Sequence, residues 1–247
     1  MKIAFCLYGL SGGYSERIEK RKSYSHNLEV MEKSYESYKK NIFDINKNCE
    51  FDIYLHTRKH NNIDKIINMY KPKKYIVDDK IILKKKYKCW NVAVLSRHDS
   101  VNKVLKLIDV NIDYNFILLV RFDLTFLKPL DFTKFKVKEN HIYFPDQSHA
   151  YVNNKKIDTL SLLTKNPPNN IEWRKKDKNN YLNEWWMIFT KTSIKILSDM
   201  GKKHKNNLHI NIHQYIPNYL SKTLNIELLY LHCCDTPLTR YYIYNKP

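Results

Sequence analysis

The pattern of apolar and polar residues along the chain predicts strands and helices in alternation. Apolar runs predict strands at residues 2–8, 51–56, 74–77, 116–120, 141–144, 185–190 and 226–232. Apolar residues at helical spacing predict helices over 28–42, 64–69, 101–108, 192–200 and 213–224. This alternation is typical of an α/β protein with a mainly parallel sheet.

The run FILLV at residues 116–120 indicates what kind of sheet this is. Five consecutive apolar residues suit a strand that is covered on both faces, as in parallel sheets flanked by helices. We therefore predict an α/β, Rossmann-like, mostly parallel sheet with helices on both faces. The polar stretch 146–180 is predicted to be a loop region that faces the substrate, and Gly201 is predicted to end the helix before it.

Length and composition favour a single soluble domain. The chain has 247 residues and 43% hydrophobic residues, without an apolar run of the roughly 20 residues that a membrane-spanning helix needs. The segment 1–10 is interpreted as a buried strand, since its charged and apolar parts are too short for a typical signal sequence. The five cysteines include no C-x-x-C pair, which favours a reducing compartment and a cytoplasmic location.

The formal charge of +18 raises the alternative of a nucleic-acid-binding protein. Lysines supply most of this charge, and they are scattered over separate polar segments. Arginine, which suits bidentate contacts to phosphate and guanine, occurs at seven positions: 17, 21, 58, 97, 121, 174 and 240. The sequence therefore disfavours nucleic acid as the partner, although this function stays the alternative from another class.

Polar residues follow several of the predicted strands, where ligands of open parallel sheets bind. These strand ends are 9–13, 56–58, 78–79 and 121–123. The glycine-containing segment 9–13 matches neither G-x-x-x-x-G-K-[ST] nor G-x-G-x-x-G. The sequence thus argues against P-loop nucleotide hydrolases and dinucleotide-dependent enzymes.

Arg121 and Asp123 are the most informative pair, because they come directly after the best strand and lie two residues apart. An acid at this point could hold Mg²⁺ or Mn²⁺ against a diphosphate, with Arg121 as its partner or as a diphosphate contact. The competing interpretation is a structural ion pair between the two side chains.

The segment VRFDLTFLKPL resembles the metal-binding region of GT-A-type glycosyltransferases, where a hydrophobic strand ends in a short acidic motif, often D-x-D. The chain more closely resembles small glycosyltransferase-like proteins of large DNA viruses and bacterial surface-polysaccharide loci, which carry an R-x-D-L variant there. Further similar segments are MKIAFCLYG, FDIYLHT, YLNEWWMIF and HQYIPNYLSKTLNIELLYL. Arg121 stands where the family usually has its first acid.

The resemblance implies one glycosyltransferase domain over 1–247, with a nucleotide-sugar-binding half (1–131) and an acceptor-side half (132–247). It also implies a UDP-, GDP- or TDP-sugar donor, a glycan acceptor, and Mn²⁺ or Mg²⁺ as cofactor. Its expected metal ligands are Asp123 and His232, and its expected general base is Glu184, with Asp146 as the rival. The expected donor-binding residues are Gly9, Ser11, Gly12, Arg97, Arg121 and Asp123.

Two questions stay open at the level of sequence. The tryptophans at 185 and 186 could stack on a sugar ring beside Glu184, or they could belong to the core. A catalytically inactive, sugar-nucleotide-binding relative is a third functional alternative, although Asp123 and the acids at 78 and 79 are retained.

Overall fold

The protein is described here by a computed structural model that covers residues 1–9, 28–79, 89–146, 149–152, 155–156, 172–174, 185–208, 210 and 212–232. The described strands are β1 (Lys2–Tyr8), β2 (Glu50–Arg58), β3 (Lys74–Asp78), β4 (Phe116–Arg121), β5 (His141–Asp146), β6 (His149–Val152), β7 (Lys155–Lys156), β8 (Glu172–Arg174), β9 (Trp186–Phe189) and β10 (Asn225–His232). The described α-helices are α1 (Leu28–Tyr38), α2 (Ile63–Tyr70), α3 (Cys89–Leu107), α4 (Ile194–His204) and α5 (Ile212–Leu220).

Seven of the described strands form one sheet in the order β10-β5-β9-β4-β1-β2-β3. β1 pairs in parallel with both β2 and β4, β2 with β3, and β5 with β10. β9 is antiparallel to its neighbours β4 and β5. The predicted α/β class with a mostly parallel sheet is therefore confirmed, and β9 is the exception.

The strands bury both faces of this sheet, as the continuous apolar runs predict. In β1, Ala4 and Cys6 face a core layer that also contains residues of α3, α4 and α5. Ile3 and Phe5 face the opposite layer, to which α1 and α2 contribute. Among the described helices, none has both the length and the apolar character that crossing a membrane requires.

Two details differ from the sequence predictions. Within the stretch predicted to be a loop, β6 pairs antiparallel with β7 and with β8 in a small separate sheet. Helix α4 does not end at Gly201 but continues to His204. Gly201 instead marks a close approach of two helices, because a Cβ atom there would lie 3.0 Å from the Cβ of His98 on α3.

The chain changes direction between β1 and β4, and this creates the ligand-binding position of the fold. After β1 the chain builds β2 and β3 on one side, and it then returns through α3 to place β4 on the other side. Connections that leave in opposite directions open a crevice at the carboxyl ends of the two central strands. The residues that follow β1 and β4 therefore border the expected site.

A buried asparagine ties the segment after β4 to the π-helical turn Lys39–Phe43 that follows α1. The Asn46 amide group donates to the carbonyl oxygens of Ile42 (2.7 Å) and Leu130 (2.8 Å). Its side-chain oxygen accepts from the N–H of Phe132 at 2.9 Å. These bonds fix the position of residues 130–132, in the segment that follows β4.

We expect Asn46→Ala to lower the free energy of unfolding by about 2–4 kcal/mol, because the Leu130 carbonyl oxygen and the Phe132 N–H lose their bonds to this side chain. The Ile42 carbonyl oxygen still accepts from the backbone N–H of residue 46. Urea unfolding followed by circular dichroism would measure the change. Asn48→Ala, at an exposed position two residues along the same turn, is the matched control and should stay within about 0.5 kcal/mol of wild type. Equal losses of stability in the two variants would show that the Asn46 hydrogen bonds do not stabilise this segment.

Candidate functional site

Three polar or aromatic side chains lie side by side at the carboxyl edge of the sheet. Tyr8 of β1 is in register with Arg121 of β4 on one side and with His56 of β2 on the other. Residues paired in register point to the same face of a sheet. All three therefore lie on the face that α3 covers, which is also the face of Ala4 and Cys6.

Arg121 and Asp123 form a bidentate ion pair at this edge. The Nε and Nη2 atoms of Arg121 donate to the two carboxylate oxygens of Asp123, at 2.8 and 2.9 Å. The Asp123 side chain is 2% exposed, whereas that of Arg121 is 28% exposed. The carboxylate thus fixes the guanidinium from the buried side, while the guanidinium reaches the surface of the crevice.

The main chain that carries this pair is held by its neighbours. The Tyr38 hydroxyl donates to the carbonyl oxygen of Arg121 at 2.5 Å and accepts from the N–H of Leu124 at 3.3 Å. The N–H of Arg121 donates to the carbonyl oxygen of Trp185 at 3.1 Å. Burial raises the pKa of Tyr38 well above its ordinary value, so the hydroxyl stays protonated and keeps donating.

A divalent metal does not fit Asp123 in this arrangement. Both carboxylate oxygens already accept from a guanidinium, which balances the negative charge, and the side chain is almost completely buried. A dication bound there would stand next to the Arg121 cation, and the two would repel each other. Metal ligands are usually several oxygens or nitrogens around one open position, whereas here one neutralised carboxylate is described.

A chain of hydrogen bonds starts at Gly9, the first residue after β1. Its N–H donates to the hydroxyl of Ser100 on α3 at 2.8 Å, and this hydroxyl lies 2.6 Å from Nδ1 of His56. Nε2 of His56 lies 3.0 Å from a carboxylate oxygen of Asp78 at the end of β3. Because the carboxylate accepts, Nε2 carries the proton, and Nδ1 of a neutral ring then accepts from Ser100.

The far end of this chain is a balanced group of two acids and two cations. Asp78 accepts from Arg58 at 3.0 Å and from Lys103. Asp99 accepts from the same two cations, at 2.7 and 2.9 Å. Burial alone would raise the pKa of Asp78, but hydrogen bonds from His56 and Lys103 outweigh it and lower that pKa to about 2.

One group of described side chains has ligand atoms close enough together for a metal ion. His56, Asp78 and Asp99 place them within 4.8 Å of one another. The same carboxylate oxygens, however, accept from Arg58 and Lys103. Since two permanent cations already balance the two acids, we interpret this cluster as an ion-pair network.

Arg97 approaches the same edge from α3. Its guanidinium carbon lies 5.5 Å from the centre of the Tyr8 ring, within range of a cation–π interaction. Tyr8 is the register partner of Arg121, so Arg97 packs on the ring of the residue beside Arg121 in the sheet. α3 and β4 bring these two arginines to the same edge.

The structure brings together some of the predicted site residues: Gly9, Arg97, Arg121 and Asp123. Ser11, Gly12 and Glu184 lie outside the described residues. Asp146 and His232 are described only through their backbone, which pairs them in register at the ends of β5 and β10. β10 lies three strand positions from β4, about 14 Å at the usual strand spacing. The predicted metal shared by Asp123 and His232 is untested at His232 and does not fit the Asp123 carboxylate as described.

Comparisons with known proteins give a distant likeness in chain path. No family profile matches the chain, and no curated protein matches it. The solved structures that match include the WbbM bifunctional glycosyltransferase, at 7% identity and a TM-score of 0.39 over 92% of this chain and 38% of that chain. They also include a nucleoside-diphosphate-sugar pyrophosphorylase from Vibrio cholerae RC9, at 12% identity and a TM-score of 0.45 over 98% of both chains. Values this low carry no argument about the activity or the site of this protein.

The two tryptophans at the start of β9 separate into different roles. Trp186 is completely buried and packs against Phe126, with ring centres 5.6 Å apart. It belongs to the core and cannot stack on a sugar. Trp185 is half-buried and stays available for that hypothesis.

Sequence reasoning missed Ser100 and underused His56. His56 was noticed as a strand end, but no sequence signal connects it to a serine 44 residues away. The helical spacing of apolar residues 101–108 does place Ser100 one position before that stripe, on the buried side of α3. Both Ser100 and His56 are buried, and a polar residue on the buried side of a helix is a sequence signal for a hydrogen bond to a polar strand end.

The buried His56 makes stability depend on pH. Burial and the nearby Arg58 lower the pKa of His56, although the hydrogen bond to Asp78 opposes this. An unfolded histidine titrates near pH 6.5, so below that pH the unfolded chain binds a proton that the folded chain does not. Stability should therefore be lost as the pH falls below about 6.5.

We expect His56→Gln to flatten the decrease in unfolding free energy between pH 6.5 and 5.5, by up to about 1.4 kcal/mol per pH unit. Urea titrations of both proteins at half-unit pH steps would measure the two slopes. Between pH 7.5 and 8.5, where neither state protonates this histidine, the slopes should coincide. Parallel curves below pH 6.5 would show that His56 is not the group responsible.

Proposed function

We propose that this protein is a glycosyltransferase that moves a sugar from a nucleotide-diphosphate donor to a hydroxyl group of a glycan acceptor. The observation that carries the proposal is the Arg121–Asp123 pair at the carboxyl end of β4, beside Gly9 and Arg97. It lies at the point where the chain leaves the two central strands in opposite directions, which is where open α/β sheets bind ligands.

The end of β1 offers room for such a donor. Gly9 has φ of +100°, and a Cβ atom added there would meet no atom of the described residues within 4 Å. Its N–H is committed to Ser100, so Gly9 would not bind a phosphate through that group. Gly9 would instead let the ligand approach the backbone closely, since it has no side chain in the way.

The chemistry follows from the charge that develops when the glycosidic bond breaks. The departing nucleoside diphosphate gains negative charge, and cationic hydrogen-bond donors placed beforehand stabilise it. Arg121 is fixed by a buried carboxylate and therefore needs little reorganisation when the charge develops. Arg97 would supply a second positive charge on the same face of the sheet.

The acceptor half of the site is proposed from the sequence resemblance. Glu184 would remove the proton from the attacking hydroxyl, and Asp146 is the alternative base. The Mn²⁺ or Mg²⁺ that the resemblance also implies would supply a further positive charge to the leaving group, but Asp123 as described does not fit it. None of the roles assigned to Arg97, Arg121 or Glu184 depends on that ion.

We expect at least one of UDP, GDP and TDP to raise the melting temperature. A ligand at about 100 times its dissociation constant adds roughly 2.7 kcal/mol when it binds only the folded state, which corresponds to about 5–10 °C for a domain of this size. Differential scanning fluorimetry, with the matching monophosphates and inorganic phosphate as controls, would detect it. If none of the three diphosphates moves the midpoint, in the presence or absence of Mn²⁺, the proposed function is wrong.

We expect Glu184→Gln to reduce sugar transfer by at least about a hundredfold while donor affinity stays close to wild type, because loss of a general base affects the chemical step. Product formation from the donor that binds, with the dissociation constant measured separately, would show this separation. Glu36→Gln, an exposed acid on α1, is the control and should transfer normally. Transfer within about threefold of wild type would make Asp146 the next candidate.

A further inference from the structure

The position at which a divalent metal is expected in this type of site is already filled by a side chain of the protein. Arg121 donates two hydrogen bonds to Asp123, one to each carboxylate oxygen. Asp123 is therefore neutralised within the protein before any ligand arrives. The part of the pair that reaches the crevice is the guanidinium and not the carboxylate, since the two side chains are 28% and 2% exposed.

The exposed member of the pair decides which charge a ligand meets. A carboxylate at the surface of the crevice would attract a metal ion, whereas a guanidinium attracts an anion directly. Guanidinium groups also match the planar, bidentate geometry of phosphate oxygens better than a lysine does. The edge of β4 therefore presents an anion-binding group where a metal-binding one would be expected.

A second arginine lies on the same face of the sheet, with its Nε and Nη1 atoms buried. Arg97 lies over the ring of Tyr8, and Tyr8 is directly opposite Arg121 in the β1–β4 pairing. Arg97 belongs to α3 and Arg121 to β4. The distance between their backbones is therefore set by the packing of α3 on the sheet. The described contacts place Arg121, and not Arg97, against a buried carboxylate at the end of β4.

The other cations near this edge do not compete for that role. Arg58 and Lys103 are each shared between Asp78 and Asp99, so that group is balanced within itself. Arg121 is paired as well, but its single carboxylate partner is buried while the guanidinium is 28% exposed.

We propose that Arg121, positioned by Asp123, takes the place of a divalent metal ion in binding the donor diphosphate, so that donor binding needs no Mn²⁺ or Mg²⁺. This inference rests on the proposed function, because it concerns the same diphosphate. Asp123 is then a positioning residue for Arg121 and not a metal ligand.

The test is titration calorimetry of the full chain with UDP, GDP and TDP, once with EDTA and once with Mn²⁺. We expect the nucleotide that binds to have dissociation constants within about twofold of each other in the two buffers. Binding that disappears in EDTA and returns with Mn²⁺ would overturn the inference and leave the proposed function standing. Absence of binding in both buffers would instead reject the proposed function.

Variants test the arginine itself under the metal-free condition. Arg121→Gln should raise the dissociation constant by about ten- to a hundredfold, the usual range for losing a charge-assisted contact. Arg121→Lys should recover part of the affinity, because the charge is kept and the bidentate geometry is lost. Lys191→Gln is the matched control: it removes one exposed cation that pairs with Asp113, at the opposite edge of the sheet, and it should bind as wild type does.

Asp123→Asn separates positioning from metal binding. If Asp123 positions Arg121, the Asp123→Asn substitution should weaken nucleotide binding equally in EDTA and in Mn²⁺. Melting curves without nucleotide would confirm that each variant is folded, and the wild-type comparison of the two buffers needs no variant at all. An Arg121→Gln protein that is folded and binds with wild-type affinity would overturn the inference.

Discussion

The parallel pairing of β1 with β4 is the constraint on which the rest of this structure depends. It places Tyr8 opposite Arg121, and as a parallel pair it needs a crossover connection, which here runs through β2, β3 and α3. The crossover covers one face of the sheet and brings Arg97 and Ser100 over the strand ends. The site is thus a product of topology, because residues far apart in the sequence meet where the two central strands diverge.

The balance of charge at this edge differs from one strand end to the next. At β2 and β3, two acids and two cations neutralise each other and link these strands to α3. At β4, the single acid is buried beneath its arginine. Both arrangements are ion pairs, but the first stabilises the packing of elements, whereas the second leaves a cation directed toward the crevice.

Much of the fold could be predicted from periodicity, because uninterrupted apolar runs such as residues 116–120 leave few alternatives to a strand buried on both faces. The importance of Arg121 and Asp123 was visible for the same reason, since polar residues directly after such a strand lie at the ligand edge. Contacts between distant elements were not predictable. Gly201 looked like a helix end because its role, allowing α4 to approach His98, depends on a neighbour that the sequence does not reveal. Ser100 had no local signal for its bond to Gly9, and the short strands β6, β7 and β8 were hidden in a stretch of polar composition.

The reversed direction of β9 has a consequence for how functional residues reach this sheet. Its neighbours deliver the residues that follow them to the ligand edge, but β9 runs the other way and begins at that edge. Trp185, directly before β9, accepts a hydrogen bond from the backbone of Arg121 and is therefore at the edge of the crevice. An antiparallel strand can thus begin at the ligand edge and run from there into the core. It does not need the crossover helix that a parallel strand requires. Such a strand supplies side chains from its beginning, and in sheets of this kind the residues before an antiparallel strand are as informative as those after a parallel one.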